Sequence, residues 1–152
     1  MHLFVEAMQL LAAAGLALFA GALLAEAMVL VPMWRSLRPQ EFFLLHEAHA
    51  HRLYKFFAPL TASATCLAVV SAIASVASNH PGSLASIAAA ALALVVLSTY
   101  FLYFRRVNAS FANASIRHED LSAELARWAS WHWFRTTVAL LALASTLLAL
   151  RA

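Results

Sequence analysis

Charge is scarce in this chain and cysteine is nearly absent. Asp, Glu, Lys and Arg make up 11% of the 152 residues, against 64% hydrophobic residues. That balance excludes an ordinary soluble domain, in which about a quarter of residues are charged. A lone cysteine, Cys66, excludes an internal disulfide and any CxxC redox or zinc motif; lying in an apolar run, it is expected in the core. No phosphate-binding loop, nucleophile elbow or dinucleotide fingerprint occurs. The net charge is +3, but Lys and Arg fall in connections and at the ends of apolar runs, not in one patch. Membrane topology therefore explains them, and no nucleic-acid partner is expected.

What the chain does have is four long apolar stretches, residues 4–31, 56–78, 84–104 and 128–150. Each is near the ~20 residues that a helix needs to cross the hydrocarbon core. The expected fold is all-α: one integral membrane domain over 1–152, an antiparallel four-helix bundle in contact with the lipid bilayer. Leu23-Leu24-Ala25-Glu26-Ala27 loosely resembles a signal-peptide cleavage site, but the basic leader is missing and the apolar run is too long, so it reads as a retained span. Pro32 is expected to end the first span, and Asn79-His80-Pro81-Gly82 to form a tight turn. Residues 39–55 are polar but carry Phe42, Phe43, Leu45 and Leu53. They read as an interfacial helical extension leading into the second span, with Pro59 a candidate kink.

Arg35, Arg38, Arg52 and Lys55 flank the first connection and Arg105, Arg106, Arg117 and Arg127 the third, whereas the second has no such residue. The positive-inside rule then puts both termini on the non-cytoplasmic side, in a bacterial cytoplasmic membrane. Small residues within the spans, Ala12-Ala13-Ala14-Gly15 and 88–91, suit close helix packing in lipid. They also suit association into a homodimer or a larger membrane complex.

An ionisable side chain at membrane depth is costly and marks a functional site by default. On the fourth span Trp128, His132 and Arg135 are spaced i, i+4, i+7 and share one stripe, with Glu124 a turn earlier. Glu26, in the first span about two turns before Pro32, lies at matching depth, so an ion pair with Arg135 is expected, either structural or part of a site with His132. On the second helix His46 and His49 are at i, i+3, with Arg52 at i+6, and are expected to face inward with Leu45, Leu53 and Phe56. Imidazole suits Cu, Fe or Zn, so His46, His49, Glu26 and His132 are the candidate ligands of a transition metal or of haem. The alternative is a hydrated segment whose histidines face water. His2, His80 and His118 are expected to be solvated. Asn108 either caps a helix or turns inward as a neutral donor and acceptor.

The order of these features resembles the anthrone-oxygenase-like family of small four-helix membrane proteins. The features are Gly21, Glu26 and Val31-Pro32, then Asn108, then Leu125-Ala-Arg127-Trp128 followed by His132 and Arg135. The resemblance implies oxidation of a hydrophobic polycyclic phenol by molecular oxygen, and it gives Asn108, Trp128, His132 and Arg135 roles in the site. His132 is then the expected general base, with Arg135 and Glu26 as catalytic partners and Trp128, Asn108 and Arg52 as substrate contacts. The His46–His51 run has no counterpart in that motif. A reading of another class is a non-catalytic cofactor-binding or accessory subunit of a membrane complex.

Overall fold

The computed structural model describes residues 2–152. Four helices, α1 (His2–Ser36), α2 (Pro39–Ala77), α3 (Ser83–Ala112) and α4 (Leu121–Ala149), are each long and apolar enough to cross a membrane. The protein is an all-α integral membrane antiparallel four-helix bundle. Each helix packs on two neighbours in the cyclic order α1, α2, α3, α4.

Two different cores hold it together. Toward the end carrying the termini, Ala64, Ala68, Ala72, Ala90, Ala93, Ala139 and Ala142 bring the helices close around Leu16, Phe19 and Leu23. In lipid, where burying apolar surface gains little, such small residues allow the van der Waals contact that association depends on. Gly15 serves the same end: a Cβ there would lie 3.1 Å from Leu67 Cδ1 and 3.5 Å from the Ala64 backbone. At the other end the packing is by large rings, Trp34, Phe42, Phe43, Tyr103, Phe104, Phe111 and Trp128. Residues 39–55 carry α2 into this aromatic head as the expected extension.

The helix boundaries follow local chemistry. Pro39 occupies the first turn of α2, where its missing N–H is no loss, and Glu41 accepts the Arg38 N–H at 3.0 Å as a cap. Between α2 and α3, Asn79 takes a left-handed φ of 50°, a conformation that Asn tolerates at a helix end. His80 is buried in this turn, not solvated as expected, and its Nδ1 accepts the Gly82 N–H at 3.0 Å. Cys66 is exposed on the outer face of α2, also against expectation, because the buried stripe there runs through Ala64, Thr65, Ala68 and Ala72.

Pro32 does not end the first helix, which continues to Ser36. A π-turn at Glu26–Leu30 widens the backbone just before it, with the Val31 N–H reaching Glu26 O. A widened turn relieves the clash between a proline ring and the carbonyl four residues earlier. A second π-turn, Tyr100–Phe104, interrupts α3. No sequence signal foretold either.

Gly82 gives the first test. A Cβ there would collide with the carbonyl oxygen of Ala149, whereas one at Gly21 meets nothing within 4 Å. Gly82→Ala should cost about 1–3 kcal/mol by overpacking, and Gly21→Ala should be near neutral, both read from thermal unfolding in detergent.

Candidate functional site

The charged cluster lies where the alanine core meets the aromatic head. Glu26 opens the π-turn of α1, and its side chain is 5% exposed beside Arg135 of α4, at 14%. Arg135 Nη2 donates to Glu26 Oε2 at 3.1 Å. The guanidinium also donates to His132 Nδ1, from Nε at 3.1 Å and Nη2 at 2.7 Å. Its remaining face is covered by Phe104, whose ring centre is 4.0 Å from Cζ, a favourable seat for a cation.

His132 is fully buried, and both of its nitrogens are committed. Nδ1 accepts from Arg135, so Nε2 carries the proton and donates to the Leu23 carbonyl at 2.8 Å. The 3.6 Å approach of Nδ1 to Glu26 Oε2 is then two acceptors sharing one guanidinium, not an ion pair. Trp128, one turn earlier, stacks on the imidazole with ring centres 4.9 Å apart and planes 8° from parallel. Trp128 Nε1 donates to Asn108 Oδ1 at 2.9 Å. Asn108 has turned inward as one of its two readings anticipated. Its link to Trp128 joins α3 to the stripe on α4.

Glu26, Asn108, His46 and Trp34 are among the residues that line a cavity of about 600 Å³ between α1, α2 and α3, which Arg135 reaches from α4. That size falls in the range of small-molecule sites. His132 and Trp128 stand behind this wall. His132 is therefore a brace that fixes the Arg135 fork, and the expectation that it is the general base is corrected: neither of its nitrogens is free to take a substrate proton. Glu26 borders the cavity, as do His46, His51, Tyr54 and Tyr100.

The inward set expected on α2 is also corrected. His46 is 8% exposed, stacked on Phe42 and edge-on to Trp34 and Phe111, while His49, Arg52 and Phe56 are exposed. From His46 the inward stripe continues at Ala50, Leu53, Phe57 and Thr61, steps of three and four residues that hold one face. Steps of i+3 and i+6 instead walk round the helix, which carries His49, Arg52 and Phe56 to a second, outer groove with Leu30 and Met33, whose lining Leu45, His46 and Leu53 also join. Arg52 is thus no contact for a ligand in the cavity.

The proposed metal ligands do not come together. Among the described residues no three His, Cys, Asp or Glu side chains are placed to hold a metal ion. His132 has no free nitrogen, Glu26 is held by Arg135 and His49 faces outward. A His-ligated haem would have to rest on His46 alone. The four side chains therefore do not fit a transition-metal centre.

Of the α2 set expected to face inward, His46 is the one that is buried. Both of its ring nitrogens are buried without a hydrogen-bond partner, and an unpaired buried polar group of this kind costs about 1–3 kcal/mol. Glu124, expected on the inward stripe, instead accepts from Tyr103 at 2.8 Å and Arg127 at 3.0 Å, away from the cavity. At the far end of the bundle Gln9, Ser75 and Ser86 form a buried chain of hydrogen bonds at 3.2–3.3 Å. It links α1, α2 and α3.

No protein family, no curated protein and no solved structure matches this chain.

Proposed function

We propose that the protein is a membrane oxygenase of the anthrone-oxygenase-like kind, acting on a hydrophobic phenol or enolisable aromatic ketone. The observation that carries the reading is a buried carboxylate–guanidinium pair, Glu26 and Arg135, set on the wall of a largely apolar cavity instead of being sealed inside the protein. A carboxylate there can take a proton from a benzylic carbon, and the neighbouring guanidinium can hold the enolate oxygen that results.

The reaction then balances with molecular oxygen as the oxidant. Glu26 removes one proton from the CH2 group, and the enolate passes one electron to O2. The two radicals join in a new C–O bond, and Glu26 returns its proton to the peroxide. Loss of water from the hydroperoxide, with the second C–H proton, leaves a second carbonyl. The sum is substrate plus O2 giving quinone plus water.

By the charge of its connections, both termini face away from the cytoplasm in a bacterial cytoplasmic membrane. The site then lies toward the cytoplasmic surface.

The test is oxygen uptake by the purified protein in lipid nanodiscs supplied with anthrone. One O2 consumed per anthraquinone formed is expected. Uptake no faster than in empty nanodiscs would overturn the reading and favour an accessory subunit. As a brace, His132 should matter less than Glu26. His132→Ala is expected to lower kcat by up to roughly 10²-fold, the effect of displacing a positioned group by ~1 Å, with KM little changed.

A further inference from the structure

The cavity is longer than the ring chemistry needs. Along α2 its lining runs from His46 to Thr61, and along α3 from Val96 to Ala109, roughly 20 Å in each case at 1.5 Å per residue. A fused nucleus of two or three rings fills only part of that length. The two ends also differ in kind. One holds Trp34, Asn108 and His46; the other is walled by Phe19, Phe57, Val96 and Leu97, with Thr61 spending its hydroxyl on the Phe57 carbonyl at 2.7 Å, and Glu26 and Arg135 border the slot between the two.

The apolar end belongs to the alanine core, where Phe19 and Val96 are buried and Phe57 packs on them. The polar end belongs to the aromatic head. The slot therefore runs along the bundle from the aromatic head, past the level of the charged pair, into the alanine core. Its lips on α2 and α3 carry the exposed side chains of Tyr54, Phe101 and Arg105, and the π-turn at Tyr100–Phe104 widens the α3 lip.

We propose that the substrate is a membrane-resident phenolic lipid: one phenolic or enolisable ring bearing a single alkyl or prenyl chain, entering sideways between α2 and α3. The ring sits at Glu26 and Arg135, and the chain lies along Phe57, Thr61 and Val96. The seat of the ring rests on the function proposed above; the chain site rests on the shape and polarity of the slot. Moving a chain from lipid to this slot gains no hydrophobic free energy, since both surroundings are apolar. The chain therefore sets the ring's depth and orientation, and position, not affinity, is the informative readout.

The probe is a hydroquinone with a decyl chain ending in a photoreactive diazirine, added to the full-length protein in nanodiscs and mapped by mass spectrometry after illumination. Labelling is expected on the peptides holding Phe57–Thr61 and Val96–Leu97. It should fall roughly tenfold when a roughly tenfold excess of unlabelled decyl-hydroquinone competes. Thr61→Trp, which fills the apolar end, should remove the label from Val96–Leu97. Label confined to outward residues such as Val70, Ile73 and Leu94, or label in the slot that resists competition, would overturn the proposal. Oxygen uptake with anthrone is scored separately. An active protein with outward labelling loses only this inference, and an inactive protein with competed slot labelling loses only the oxygenase reading.

Discussion

Glu26→Gln is expected to slow oxygenation by about 10²–10⁴-fold, the contribution typical of a positioned general base. The substitution keeps size and shape, and the amide oxygen can still accept from Arg135 Nη2, now 3.1 Å from the carboxylate. What it removes is the capacity to take and return a proton. KM should therefore move little while kcat falls. Glu26→Asp should lie between the two, because it keeps the base but draws it back by one methylene from the cavity wall. Initial rates of oxygen uptake over a range of substrate concentrations separate these cases. A Gln variant with unaltered kcat would take Glu26 out of the chemistry and leave it a structural partner of Arg135.

The second large effect concerns folding stability. Arg135→Leu leaves the Glu26 carboxylate buried without its cation, removes the donors to His132 Nδ1 and strips the charge from above Phe104. Breaking a buried pair in this way costs about 3–5 kcal/mol, or roughly 10 °C in Tm for a protein of this size. Adding Glu26→Gln to Arg135→Leu should recover much of the loss, since the stranded charge has gone, so the two changes should be strongly non-additive. Arg135→Lys should fall between, because an ammonium keeps the charge but lacks the planar fork that reaches Glu26 and His132 together. Thermal unfolding of the four proteins in one detergent gives the cycle. Additive losses would mean that the 3.1 Å contact carries no coupling.

The fold was legible because it is written in composition and run length, which local substitutions scarcely disturb. Four apolar runs gave four spans, and the polar, phenylalanine-bearing segment before the second gave the extension of α2. The α4 stripe was legible too: Trp128, His132 and Arg135 are regularly spaced on an unbroken helix, so one face collects them. Glu26 could be matched to Arg135 because both depths could be counted from a helix end.

The same counting failed on α2. A histidine cluster says nothing of helix phase, and spacings of three and six residues drift away from the inward line that His46 shares with Leu53 and Phe57. The expectation for His132 failed for a related reason. Residue type favours histidine as a base, but a base also needs a free nitrogen. That depends on the Leu23 carbonyl, which no side-chain pattern reports. Pro32 misled because a proline ends a regular helix, whereas here a π-turn precedes it. The buried Gln9 stood in plain view in an apolar run, and polarity alone could have marked it.

On the proposed function, Glu26 takes a proton from a ring held against Arg135. Binding anthrone under strictly anaerobic conditions isolates that step from the oxygen chemistry that follows, and the absorption spectrum of the bound ligand reads it directly. The enolate spectrum of anthrone is expected on the wild-type protein and the keto spectrum on Glu26→Gln, at equal occupancy of the cavity. Bound anthrone that remains in its keto form on the wild-type protein, or an enolate that forms equally well without the Glu26 carboxylate, would contradict it.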